Sequence, residues 1–433
     1  MLLKNARNRD DLSIGDSKDI IDCRGLVLVP GFVDLHCHLR EPGFEHKETI
    51  ATGARAAAAG GFTTVCCMPN TDPVIDTAGT LQYVLDVARR EASVRVRPIA
   101  AISRGRAGKE LTDMAELAAA GAVAFSDDGN PVANSALMRH ALEYANSFDR
   151  VVVDHCEDIA LTKGAAMHEG AVSERLGLPG WPAAAEDIIV ARDLALAEAT
   201  GARVHIAHLS TAGSVDLVRS AKRRGVRVTA EVTPHHLTLT DEWVERGTYD
   251  ANCKVNPPLR TSRDIEALVE GLLDGAIDAI ATDHTPHALV DKAVEFEQAA
   301  FGISNIETAF AQVMGLVHAG RLPFDLVVEK LTSGPCSVFG LELPADDWVL
   351  VDPDAEWTVD VEVFHSRGRN TPLHGATLRG RVMLTVCRGQ VVFDALREPA
   401  SGAGCAEVEV PSPRPSPVAT GEGGFRLHLS ERP

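Results

Sequence analysis

The chain has 433 residues, 45% hydrophobic and 24% charged, an ordinary globular balance with room for one large domain and a smaller one. Its formal net charge of -19 disfavours a nucleic-acid partner, since an acidic surface repels phosphate backbones, but says nothing against a small anionic substrate. No run of about 18 apolar residues suggests a membrane span, and the first eleven residues lack a signal-peptide core, so a cytoplasmic location is expected. The nine cysteines form no CxxC pair and are expected to be buried free thiols.

In chain order, residues 1–30 carry two short strand-like pieces, at 2–5 and 25–29. Eight apolar, β-branched runs follow, at 33–39, 62–68, 94–100, 122–126, 151–155, 203–208, 227–232 and 277–282. Helical segments such as 47–59, 109–120, 186–200 and 214–224 lie between them. Strands alternating with helices predict parallel strands joined by helical crossovers, and eight such units fit a (β/α)8 TIM-type barrel over residues 31–344. A doubly wound open sheet is the rival. Residues 345–397 are strand-rich again, at 348–351, 357–363, 380–387 and 390–393. They are expected to join residues 1–30 in a small β-sandwich domain. From 398 to 433 the segment PSPRPSPVATGEGG has too few large apolar residues to offset its ordering entropy, which predicts a disordered tail.

In such a barrel the loops at the C-terminal strand ends build the active site. Those ends read VDLHCHLR, CCMPNT, FSDDG, VDHCED, HIAHLS and ATDHTPH. His36 and His38 are two apart on a strand, so both rings share a face. With His155, His208 and Asp283 at other strand ends they offer imidazole nitrogen and carboxylate oxygen, a donor set that zinc accepts. Two neighbouring ions need a shared ligand, and spacing leaves Asp127 and Asp128 open for that role. His205 and His208 pose the same question, and His208 is nearer the loop. Two metals lower the pKa of a bridging water, and Asp283 is the carboxylate best placed to shuttle its proton. Arg40 shares the face of the histidine pair, and its fork suits a substrate carboxylate. Asn70, Asn256 and His287 sit in loops at the same rim, although the two asparagines also read as turn formers.

The segments PGFVDLHCHLREPG, AAAAGGFTTVCCMPNT, AFSDDG, HCED, HIAHLST, VTAEVTPHHL, NPPLR and ATDHTPH occur in one order between about residues 30 and 310. In this the chain resembles the class I dihydroorotases of the amidohydrolase superfamily. The resemblance implies a hydrolase acting on cyclic amides: the reversible, zinc-dependent cyclisation of N-carbamoyl-L-aspartate to L-dihydroorotate, a step of pyrimidine (UMP) biosynthesis. It implies His36, His38 and Asp283 as ligands of one Zn2+, His155 and His208 as ligands of a second, and Asp128 with a hydroxide as the bridge. It also implies Asp283 as general acid/base, Arg40, Asn70 and His287 as binders of the substrate carboxylate, and Asn256 as a further substrate contact. The segment FGISNIET resembles part of the family's mobile active-site loop. DHTPH stands where DHAPH is common.

Hydantoinases and allantoinases are similar too, but their bridging ligand is typically a carbamylated lysine on the fourth strand, and AVAFSDDG has none. A non-catalytic assembly subunit is the other alternative; here all six ligand positions are filled. The sequence does not determine an oligomeric state. Homo-oligomerisation, and a complex with aspartate transcarbamoylase as in some relatives, are expectations the resemblance raises.

Overall fold

The computed structural model describes residues 2–8, 12–13 and 20–397; the segment expected to form a disordered tail lies outside them. Parallel strands Phe32–Cys37, Phe62–Cys67 and Arg95–Pro98 pair side by side, and Val152–Asp154, Val204–Ile206, Val228–Val232 and Ala279–Ile280 form a second parallel run. Phe125 joins the two runs, bridging Ala100 on one side and Val152 on the other, and His284 bridges back to Cys37. The ring therefore closes as a (β/α)8 barrel, and no open edge remains for a doubly wound sheet. The fourth run, expected over 122–126, hydrogen-bonds on both sides: Val123, Ala124 and Ser126 pair with Pro98 and Ala100, and Phe125 with Val151 and Val153. Just beyond Phe125, Asp127 turns aside to accept hydrogen bonds from the backbone N–H and hydroxyl of Ser103.

Helices cover the ring, several of them started by side-chain caps. Thr49 caps Ile50–Ala59, Thr211 caps Ala212–Arg223 and Thr261 caps Ser262–Asp274, each satisfying an orphan N–H of the first turn. Between strands and helices lies the main apolar core, which includes Phe32, Phe62, Phe125 and Ile280. Inside the ring Val33, Leu35, Cys66, Met68, Ile99, Val153 and Ala281 pack together, with Phe339 in the same cluster.

The first strand breaks simple alternation. Val33 and Leu35 belong to the inner cluster, whereas Cys37, which should share their face, packs in the outer core. The register of this strand shifts between Asp34 and Cys37. Such a bulge re-aims the side chains that follow, and it sets His36 and His38 at the mouth of the ring.

Val27–Pro30 pairs antiparallel with Trp348–Thr358, which continues to Thr377–Cys387 and Gln390–Asp394. Leu2–Lys4, Leu12–Ser13 and Ile20–Asp22 form a second small sheet. Leu3, Cys23, Leu28, Leu350, Leu384 and Val386 from the two sheets and the turns beside them bury one another. Among the described residues the cysteines are free and buried, and no helix is long and apolar enough to cross a membrane.

Candidate active site

The strand ends bring His36, His38, Asp128, His155, His208 and Asp283 into one buried cluster. His38 Nε2 lies 3.1 Å and His36 Nε2 3.5 Å from Asp283 Oδ1. Asp128 faces both sides. Its Oδ2 is 3.6 Å from His38 Nε2, and its Oδ1 is 3.4 Å from His36 Nε2, 3.6 Å from His155 Nδ1 and 3.8 Å from His208 Nε2. His155 Nδ1 and His208 Nε2 face each other at 2.8 Å. Asp127 points to Ser103 and His205 to Glu231, so neither shares the cluster.

The second ring nitrogens of His36, His38 and His155 are committed elsewhere, which fixes the nitrogen that each turns to the cluster. Nδ1–H of His36 donates to Glu231 Oε1 at 2.9 Å, Nδ1–H of His38 to Asn70 Oδ1 at 2.9 Å, and Nε2–H of His155 to Glu157 Oε2 at 3.0 Å. Partners of this kind orient metal-binding imidazoles and raise their basicity. Glu231 also reaches His205 Nε2 at 3.1 Å. Sequence reading missed Glu231 and Glu157. The signal for Glu231 was a lone carboxylate inside the apolar strand Val228–Val232; for Glu157 it was only its place two residues after His155.

The carboxylates of the cluster are held ionised by the rings around them. Burial opposes ionisation of Asp128, yet His36, His155 and His208 hold its carboxyl well below the ordinary range. Burial also opposes ionisation of Asp283, and His36 and His38 outweigh it. Glu231, buried between His205 and His36, falls to about 2. His155 is buried, but Asp128 and Glu157 push it up to about 10.

A divalent metal fits this donor set. His36 Nε2 and Asp128 Oδ1 are buried without a hydrogen-bond partner among the described residues. Ligands about 2.0–2.2 Å from a tetrahedral ion lie roughly 3.3–3.6 Å apart, close to the separations around Asp128. A third acidic group, Asp154, Cys156 and Asp193, already holds a cation of its own: Arg192 lies 3.2 Å from Asp154 and 2.7 Å from Asp193.

Arg40, His208 and Asp283 adopt left-handed backbone conformations, with φ of 63°, 33° and 45°. Non-glycine residues there are strained, and such strain clusters at functional sites. Arg40 donates from Nε to the carbonyl of Pro286 at 3.2 Å and forms no ion pair among the described residues. Burial lowers it to about 10, with Asp283 and Asp128 opposing. Asn256 donates to Glu157 Oε2 at 3.0 Å, which ties it to the His155 side. His287 Nε2 lies 2.8 Å from the carbonyl of Phe301.

A family profile described as Dihydro-orotase-like matches residues 25–214. A dihydroorotase of Syntrophus aciditrophicus (strain SB) is 51% identical over 387 residues, covering 88% of this chain and 90% of the relative. A dihydroorotase of Anaeromyxobacter sp. (strain K) is 54% identical over 380 residues, covering 86% and 88%. In solved structures the fold recurs in an L-hydantoinase (dihydropyrimidinase) from Arthrobacter aurescens, with a TM-score of 0.78, 23% identity, and coverage of 91% of this chain and 96% of that one. Its identity is low enough that this likeness speaks for the fold alone, whereas identity of one residue in two along nearly the whole chain speaks for common descent: the chain belongs to the dihydroorotase family.

Proposed function

We propose that the chain is a class I dihydroorotase that interconverts N-carbamoyl-L-aspartate and L-dihydroorotate with two Zn2+ ions. The observation that carries this reading is the convergence of six metal-binding side chains beside an Arg40 with no ion-pair partner. His36, His38 and Asp283 would hold one ion, His155 and His208 the other, and Asp128 both. When bound, the ions acidify a water and polarise a carbonyl.

The chain's own residues supply the rest. Arg40 binds the substrate carboxylate through its fork, assisted by Asn70 and His287, and Asn256 meets the substrate on the His155 side. Asn70 has a second duty, since its Oδ1 fixes the ring of His38. In the hydrolytic direction water adds to the ring carbonyl carbon and gives its proton to the Asp283 carboxylate. The ring C–N bond then breaks and the nitrogen takes that proton, yielding carbamoyl aspartate. Cyclisation runs the same transfers backwards. Thr285, whose hydroxyl lies 2.9 Å from Asp283 Oδ1, keeps the carboxylate in place.

The purified protein should hydrolyse dihydroorotate. Turnover of hydantoin or allantoin with dihydroorotate left untouched would overturn the reading. The same reading includes a place in pyrimidine biosynthesis in the cytoplasm, a small-molecule partner, and homo-oligomerisation or association with aspartate transcarbamoylase as measurable outcomes of sizing and pull-down with that enzyme.

A further inference from the structure

His235 has no part in the site described so far. It lies just after strand Val228–Val232, on the short helix Pro234–Thr238, between the strand ends that carry His208 and Asp283. Its side chain is fully buried. Asn305 ties it to the carbonyl of Thr282, the residue before Asp283.

The hydrogen bonding around this ring defines its tautomer. Asn305 Nδ2 lies 2.8 Å from the carbonyl of Thr282 and 2.9 Å from His235 Nδ1. Turning the amide over would set its oxygen against the Thr282 carbonyl, so the amine must stay where it is. Nδ1 of His235 therefore accepts, and the hydrogen of the neutral ring sits on Nε2. A ring that accepts at Nδ1 is a neutral imidazole.

That Nε2–H is buried with no acceptor among the described residues. The adjacent His236 offers a contrast. The two rings lie 4.5 Å apart, yet both nitrogens of His236 are partnered, by the Thr233 hydroxyl at 2.7 Å and the Pro257 carbonyl at 2.9 Å. His236 is a satisfied structural histidine. His235 holds a buried donor without an acceptor among the described residues, an arrangement that costs stability unless an acceptor arrives.

We propose that His235 donates its Nε2 hydrogen to the carbonyl oxygen of the amide being cleaved or formed. This rests on the reading that a cyclic amide is turned over here. A neutral N–H aimed where charge develops stabilises the transition state more than the ground state. Arg40 already serves the distant carboxylate.

The test compares purified, zinc-loaded wild type with His235→Leu and His235→Gln on dihydroorotate. Leucine should lower kcat by about 10²–10³-fold, the usual effect of losing one such donor, with KM, metal content and Tm nearly unchanged. Glutamine, whose amide N–H can occupy the Nε2 position, should recover much of that loss. A leucine variant with near wild-type kcat would overturn the proposal. So would a rise in KM alone, or loss of metal. If the leucine variant fails to fold, ¹⁵N-histidine NMR of the wild type decides. The ring should show a protonated Nε2 whose resonance moves when carbamoyl aspartate is added; the opposite tautomer or an unmoved resonance would refute the assignment. An inactive wild type would instead refute the dihydroorotase reading, while the NMR result still judges the donor on its own.

Discussion

Glu231 Oε1 sits 2.9 Å from Nδ1 of His36, although 195 residues separate the two in sequence. The contact leaves His36 Nε2 free to face Asp128 and Asp283. Glu231→Gln should weaken zinc binding by about 10–100-fold, the usual effect of losing such a partner. Chelator competition with the purified protein measures this directly; unaltered zinc affinity would show that the carboxylate does not tune the ring.

Asp283 combines two duties, as proposed metal ligand and as proton carrier. Asp283→Ala should therefore lower kcat by at least the roughly 10²–10⁴-fold assigned to general acid–base catalysis. Added zinc should not restore it. Residual activity within tenfold of wild type would remove Asp283 from the proton path.

Arg40→Met should raise KM for dihydroorotate by about 10–100-fold, because a charge-assisted hydrogen bond contributes about 1.5–3 kcal/mol, and should change kcat less. Arg40→Lys should recover only part of the effect, since an ammonium cannot make the bidentate contact. An unchanged KM in steady-state assays would mean that the carboxylate binds elsewhere.

Two lysines clasp the loop after the eighth strand. Lys292 donates to the carbonyls of Ala251 and Lys254 at 3.0 Å each, and Lys254 donates to the carbonyl of Glu297 at 2.8 Å while its ammonium lies 4.4 Å from the ring of Phe301. Burial lowers Lys292 to about 7. Its folded pKa lies below the unfolded value, so between about pH 7 and 10 the unfolded chain binds more protons and this group's contribution to stability rises with pH. Denaturant titrations of wild type should show that rise, on the order of a few kcal/mol at most, and Lys292→Met should flatten it. Equal slopes in the two proteins would refute the shift.

The barrel was legible because its signal is repetitive: apolar run, polar end, helix, eight times over. The fourth run pairs on both sides like the others, but that Asp127 just beyond it turns to Ser103 is a contact across loops that no local pattern carries. Of the candidate site, the ligand types and their strand-end positions could be read directly. The residues that aim them, Glu231 and Glu157, could not, since a carboxylate becomes an imidazole's partner only when distant strands meet. His235 and His236 look alike in sequence, and only the surroundings of each nitrogen separate the donor without a partner from the satisfied one.

By itself the sequence predicted that His36 and His38 share a face, because strand geometry repeats every two residues; Arg40, expected on that face too, lies beyond the strand's end at Cys37 with a left-handed backbone. Which face that would be was decided by the register shift between Asp34 and Cys37, which turns the pair into the mouth of the barrel while Val33 and Leu35 stay inside. Asp128 over Asp127, and His208 over His205, were likewise decided by the closed ring. Parity along a strand is local, whereas the choice of face and partner depends on where the chain meets itself again.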